Sequence, residues 1–168
     1  LDDDFLLVTV SNSLEARMSH QMCEAVSEIL EKNTKAQYLL VGECFNYKKI
    51  RERFKKDVRE RIHFLGRLSK VIPVLKACSL YLNEFPVGGG FVALEAIEAG
   101  LPVVSMWDRN GPLNAREAAN YFGKSRGICS VKIQDYIDLV LKLMNCPSKY
   151  QEWLEYTQKR ALDLQDTG

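Results

Sequence analysis

Residues 79–105 read SLYLNEFPVGGGFVALEAIEAGLPVVS. Leu80-Tyr81-Leu82-Asn83 is a short run of bulky apolar side chains, as expected of a strand buried on both faces. Gly88-Gly89-Gly90 interrupts it. Residues 91–99 then form an unbroken helical stretch, and Gly100 stops it. Pro102-Val103-Val104-Ser105 returns as a β-branched strand. Strand, helix and strand joined by short turns form a βαβ unit, whose strands are parallel and whose crossover is right-handed.

The same grammar runs outward in both directions. Toward the N-terminus, Phe5-Leu6-Leu7-Val8-Thr9-Val10 is a continuous strand-like run followed by the polar turn Ser11-Asn12-Ser13. Met18, Met22, Ala25, Val26, Ile29 and Leu30 recur at helical spacing, and Asn33 ends that helix. Tyr38-Leu39-Leu40-Val41 is the next strand, with Gly42 turning the chain into a charged helix over residues 47–58. Ile62-His63-Phe64-Leu65 is another strand, closed by Gly66, and a helix over 71–78 tolerates Pro73 in its first turn. Toward the C-terminus the pattern predicts a loop over 107–113, a helix over 114–122, a short strand over 128–131 and two helices, 133–145 and 147–164. The expected fold is a single α/β, Rossmann-like domain over 1–168, with about six parallel strands and helices on both faces.

Composition narrows the class. The 168 residues suit one domain, and 23 Lys+Arg against 22 Asp+Glu give a net charge of +1. That balance gives no support to nucleic acid or an anionic membrane as the main partner. Clusters such as Lys55-Lys56 and Arg59-Glu60-Arg61 sit beside acids and read as a solvated helix face. The five cysteines fall in no CxxC spacing, and His20 and His63 stand far apart, so reduced thiols and no metal site are expected. No apolar run reaches the length of a membrane span. The start at Leu1-Asp2-Asp3-Asp4 fits a domain excised from a longer protein, and equally a processed chain.

In an open parallel sheet, ligands bind beyond the carboxyl ends of the strands. The candidate loops are therefore those around Ser11, Gly42, Gly66, Gly88 and Met106. Gly88-Gly89-Gly90 before a helix lets backbone approach an anion, and the helix start offers free N–H groups. A tight turn needing positive φ explains the same triplet. Glu95, five residues into that helix, suits either two ribose hydroxyls or solvent. Arg17 and Arg67 each follow a strand and suit either phosphate or a surface ion pair. No Walker A pattern is present, and no GxGxxG follows the first strand, which disfavours a P-loop ATPase and a nicotinamide dehydrogenase. Asp2-Asp3-Asp4 precedes the first strand, which misplaces the acidic site of a receiver domain.

Taken together, residues 61–68, 81–83, 88–96 and 100–104, with Ser11-Asn12-Ser13-Leu14, Arg17 and Leu40-Val41-Gly42, resemble the C-terminal domain of GT-B glycosyltransferases. The likeness is to the retaining group 1 enzymes and, more distantly, to inverting enzymes related to O-GlcNAc transferase. It implies a nucleotide-sugar-binding domain, with a UDP-sugar the first choice of donor. Gly88, Gly89, Gly90, Phe91 and Val92 would meet the diphosphate, Glu95 the ribose, and Gly66, Arg67 and Leu68 the base. Ser11 and Asn12 would line the donor site. Arg17 would be a phosphate-side cation, stabilising the departing diphosphate.

The resemblance implies no metal and no cofactor, only the nucleotide sugar as substrate. The sugar would pass to a glycan, lipid or protein acceptor, as in bacterial cell-surface polysaccharide synthesis. An N-terminal acceptor domain is the missing partner, so the chain alone is expected to bind nucleotide without turnover. The implied location is the cytoplasm, with any peripheral contact at the inner face of the membrane made through that missing domain. One departure stands out: retaining relatives carry a Glu at both ends of E-x7-E, whereas Val87 holds the first position here and Glu84 lies three residues away. The alternatives are a UDP-sugar 2-epimerase on the same fold and a non-catalytic, degenerate module.

Overall fold

The computed structural model describes residues 5–106, 129–130 and 132–165. Six parallel strands form one sheet: β1 (Leu6–Val10), β2 (Gln37–Val41), β3 (Ile62–Gly66), β4 (Leu80–Leu82), β5 (Val103–Met106) and β6 (Cys129–Ser130). Their order is β3-β2-β1-β4-β5-β6. The chain winds outward from β1 to β3, then crosses back to lay β4 on the other side of β1, with Leu7 opposite Leu80 and Val8 opposite Tyr81. The order reverses between β1 and β4, so their two exit loops are neighbours in space.

The helices are α1 (Leu14–Arg17), α2 (His20–Lys32), α3 (Tyr47–Arg51), α4 (Ile72–Ala77), α5 (Phe91–Glu98), α6 (Ile133–Asn145) and α7 (Pro147–Gln165), with a 3-10 turn at Lys56–Arg61. Successive strand residues point to opposite faces, and two cores result. Leu7, Leu80, Leu82 and Val104 pack with α2 and α6 on one face. Val8, Tyr81 and Val103 pack with α5 on the other, where α4 and α7 also contribute side chains. Each such aliphatic side chain, fully withdrawn from water, supplies about 1.5–3 kcal/mol of transfer free energy. The expected Rossmann-like sheet with helices on both faces is the observed architecture.

Three local expectations change. The helix placed from Met18 begins at His20, because the Ser19 side chain accepts from Met22 N and caps α2. The helix placed over 47–58 stops at Arg51 and resumes as the 3-10 turn. Lys55 is extended there (φ −59°, ψ 144°) and donates its N–H to the buried Ser27 hydroxyl. The basic cluster after it is not simply solvated. The Arg61 guanidinium donates to the carbonyls of Leu30 (2.7 Å), Asn33 (2.8 Å) and Ala36 (3.1 Å), neutralising the negative end of α2. Strand and helix ends otherwise shift by about a residue, as such boundaries do. The loop and helix expected over 107–122 lie outside the described residues. No described helix is long and apolar enough to cross a membrane.

Candidate functional site

The switch point brings the β1 exit loop against the long loop from β4 into α5. Arg17, at the end of α1, donates through Nη1 to the carbonyls of Val87 (3.0 Å) and Gly88 (3.2 Å). Ser19 Oγ donates to the carbonyl of Phe85 at 2.7 Å. Two side chains from the first strand-helix connection thus hold the glycine-rich loop from one side.

Asn83 holds it from below. This residue is buried at the end of β4, where no water can satisfy its amide. Its Oδ1 accepts from Gly89 N at 2.9 Å, its Nδ2 donates to Ser105 Oγ at 2.9 Å, and its own carbonyl accepts from Tyr136 Oη at 3.2 Å. The loop is therefore fastened to β5 and α6 as well as to α1.

None of Gly88, Gly89 and Gly90 has positive φ, which removes the tight-turn explanation of the triplet. Their smallness serves close approach instead. A methyl group at Gly88 would stand 2.7 Å from Asn83 Nδ2 and 3.0 Å from the Glu84 carbonyl. Gly90 is the N-cap of α5 and offers no side-chain cap. The first helical bond runs from Leu94 N to Gly90 O, so the N–H groups of residues 90–93 have no acceptor within the helix. Glu95 sits half-buried beyond this start, and Phe91 is 83% exposed.

The remaining sequence candidates fall into two groups. Ser11 is buried, its N–H donating to Val41 O at 2.9 Å, and Asn12 is exposed beside it. Both share the switch point with Arg17 and the glycine loop. Gly66, Arg67 and Leu68 lie at the far edge, three strands from β4. There Arg67 Nη1 meets Glu43 Oε1 at 2.6 Å in an exposed ion pair, and Leu68 is half-buried against the second core. Such an exposed pair contributes little to stability.

Sequence reasoning noted Glu84 only as an acid displaced from the E-x7-E position and gave it no role. It is 2% exposed, yet its Oε2 has no hydrogen-bond partner among the described residues. The carboxylate faces Gly89, where a methyl group would stand 3.4 Å from Oε1 and 3.7 Å from Oε2. Burial pushes its carboxyl up to about 7, against the opposing pull of its own N–H, the Arg17 guanidinium and the Gly89 N–H. The available signal was its flanks, Leu82 and Phe85, which bury the chain on both sides. Among the described residues no cluster of three or more His, Cys, Asp or Glu is placed to hold a metal ion.

The Arg17 tether has a measurable consequence. Two charged-donor hydrogen bonds fix the loop, so Arg17→Ala is expected to cost about 2 kcal/mol in urea unfolding. A midpoint and slope equal to wild type would show that the tether contributes nothing.

The sequence profile of the family described as "Glycosyl transferases group 1" matches residues 5–144. The chain belongs to this family. No curated protein matches it by sequence. Among solved structures, an O-GlcNAc transferase mutant of Thermobaculum terrenum superposes on the glycosyltransferase domain with TM-score 0.78 at 17% identity, covering 96% of this chain and 32% of that one. S. aureus TarM, in a complex that includes UDP, gives 0.74 at 17% identity over 96% and 32%. A UDP-GlcNAc 2-epimerase from Neisseria meningitidis, bound to UDP-GlcNAc, gives 0.66 at 14% identity over 99% and 44%. At these identities the likeness shows the fold, that of a GT-B domain. The glycosyltransferase domain spans between about a third and under a half of the length of these chains.

Proposed function

We propose that this domain is the donor-binding half of a glycosyltransferase and binds a nucleotide-diphosphate sugar, a UDP-sugar first, across the carboxyl ends of β1, β3 and β4. The observation that carries this reading is the fastened glycine loop at the switch point, which presents the uncapped start of α5. The N–H groups there and the helix dipole suit a diphosphate. Among the described residues Arg17 bonds the loop through Nη1 alone, which leaves Nη2 and Nε as donors for phosphate oxygens. Glu95, one and a half turns along, would meet the ribose, with Ser11 and Asn12 beside the phosphates. Gly66, Arg67 and Leu68 stand about 14 Å from β4 at ordinary strand spacing, a distance suited to the base. The presence of UDP or UDP-GlcNAc in the related structures supports the choice of nucleotide.

The acceptor, a glycan, lipid or protein, would be held by a further domain. Val87 in place of a carboxylate removes one of the two acids that retaining relatives use. The phosphate-side groups are then the ones that stabilise the departing diphosphate as its charge develops.

Calorimetric titration with UDP, GDP, ADP and their sugar derivatives tests this directly. One nucleotide is expected to bind, and Glu95→Ala is expected to weaken it at least about tenfold, the loss of one charge-assisted hydrogen bond. The chain alone is expected to transfer no sugar. Binding of none of these ligands, or indifference to the substitution, would remove the donor reading. Transfer by this chain alone would remove the need for an acceptor domain.

A further inference from the structure

A carboxylate sealed under an anion-binding loop is an odd neighbour for a diphosphate. Glu84 is the second residue past β4, and its side chain turns inward beneath Gly89. Its Oε2 is unpartnered and the residue is 2% exposed, so burial outweighs the pull of its own N–H, the Gly89 N–H and Arg17 on a negative charge there. The loop lies between this carboxylate and the position assigned above to the donor diphosphate. We propose that Glu84 is a positioning residue for the glycine-rich loop, and that it must carry a proton when the anionic donor lies over that loop. Donor binding is then coupled to uptake of a proton at Glu84. This inference rests on the donor-site reading given above.

The groups facing Glu84 fix the sign. From α1, Arg17 favours its anion. From β2, β4 and α6 come Tyr38, Tyr81 and Tyr136, all fully buried and all pushed well above their usual range, chiefly by burial, so they stay neutral wherever Glu84 titrates. From the loop come only backbone N–H groups. A diphosphate changes two of these influences. It adds negative charge within a few ångströms, and it competes for the Arg17 guanidinium that now favours the Glu84 anion. Both raise the proton affinity of Glu84. The carboxyl titrates at about 7 before the donor arrives. Binding near neutral pH therefore draws a proton from solvent, and affinity falls as pH rises.

A protonated carboxyl also has a structural use. Its O–H is a donor, whereas the carboxylate only accepts. Under the loop, the acid form leaves the Gly89 N–H to Asn83 and removes a charge that would attract the remaining loop N–H groups downward, away from the ligand.

The test uses nucleotide sugars, because their diphosphate is esterified at both ends and does not itself titrate between pH 6 and 8.5. UDP-N-acetylglucosamine, UDP-glucose and GDP-mannose would be titrated into the wild-type chain and Glu84→Gln. Two buffers of different ionisation enthalpy would be used at each pH. Wild type is expected to take up a fraction of a proton per donor at pH 7.5, and to bind about three- to tenfold more weakly at pH 8.5 than at pH 6. In Glu84→Gln both effects are expected to vanish, with affinity at pH 8.5 held at the pH 6 value.

Binding without proton uptake, or with the same uptake in Glu84→Gln, would overturn the inference and leave the donor reading standing. Binding of none of the three at any pH would overturn both. A second measurement needs no ligand: the carboxyl carbon of Glu84, followed by NMR, is expected to titrate near 7, and a midpoint in the ordinary carboxylate range near 4.5 would overturn the inference.

Discussion

Gly42→Ala is expected to destabilise the domain by about 4 kcal/mol or more, enough to consume much of a typical domain's 5–15 kcal/mol. Gly42 ends β2 with φ +140°, a conformation that side-chain-bearing residues rarely adopt, and a methyl group there would lie 1.7 Å from the carbonyl oxygen of Ser11. That oxygen belongs to the backbone, so no side-chain rotation relieves the overlap. Ser11 N also donates to Val41 O, and Gly42 N to Gly66 O, both at 2.9 Å. The three exit loops of β1, β2 and β3 are therefore pinned together at this glycine. Forcing Ser11 away would disturb the switch point itself. Gly100→Ala supplies the control. Gly100 has φ +76°, but among the described residues a methyl group there meets only Gln158 Cγ, at 3.7 Å, so backbone conformation alone should cost about 1–2 kcal/mol. Urea unfolding of the two variants separates the terms. Equal losses would mean that the approach of Gly42 to Ser11 relaxes at little cost.

This pair also shows what the sequence could and could not disclose. Gly42, Gly66 and Gly100 were legible as turn and stop residues because each closes an apolar or helical run, and all three have positive φ. The triplet at 88–90 was legible as a loop before a helix. Its backbone conformation was not, because close packing against Asn83 and Glu84 depends on contacts that the sequence does not display. Strands β1 to β5 were readable as runs of bulky apolar residues, since a sheet covered on both faces has no polar side to break the pattern. The helix over 47–58 was misread because Phe54 and Val58 keep a helical spacing while a tertiary bond from Lys55 to Ser27 breaks the backbone between them.

The site divides in the same way. That Arg17, Ser11, Asn12 and the glycine loop share one end of the sheet follows from strand alternation and the switch-point rule. That Arg17 binds the loop's own carbonyls, and that Glu84 lies sealed beneath it, needs the crossover that sets β4 beside β1. Glu84 was legible only as an acid three residues away from where relatives carry one. Displacement along the sequence became displacement in depth, from the loop surface to its underside.

The second large effect is on Glu84 itself. Its carboxyl titrates at about 7 in the folded chain and at the ordinary value near 4.5 when unfolded. A group whose proton is held more tightly in the fold contributes stability that is fully present below pH 4.5 and is lost as pH rises through 7. That difference in proton affinity corresponds to about 3 kcal/mol. Glutamine has nearly the same shape and does not titrate. Wild type and Glu84→Gln are therefore expected to be equally stable near pH 4.5, with the variant about 3 kcal/mol more stable above pH 7.5. In a domain of this size that amounts to about 6–12 °C in thermal midpoint. Thermal and urea unfolding at pH 5 and pH 8.5 measure it. A constant difference between the two proteins across that range would show that Glu84 ionises no differently folded and unfolded, and would weaken the proton-coupled loop at its root. An acid that costs the fold this much near neutral pH, where an amide of equal size would not, is a local rule broken without gain in stability. Such exceptions gather where function outweighs stability. Here the exception lies directly beneath the loop to which the donor diphosphate is assigned.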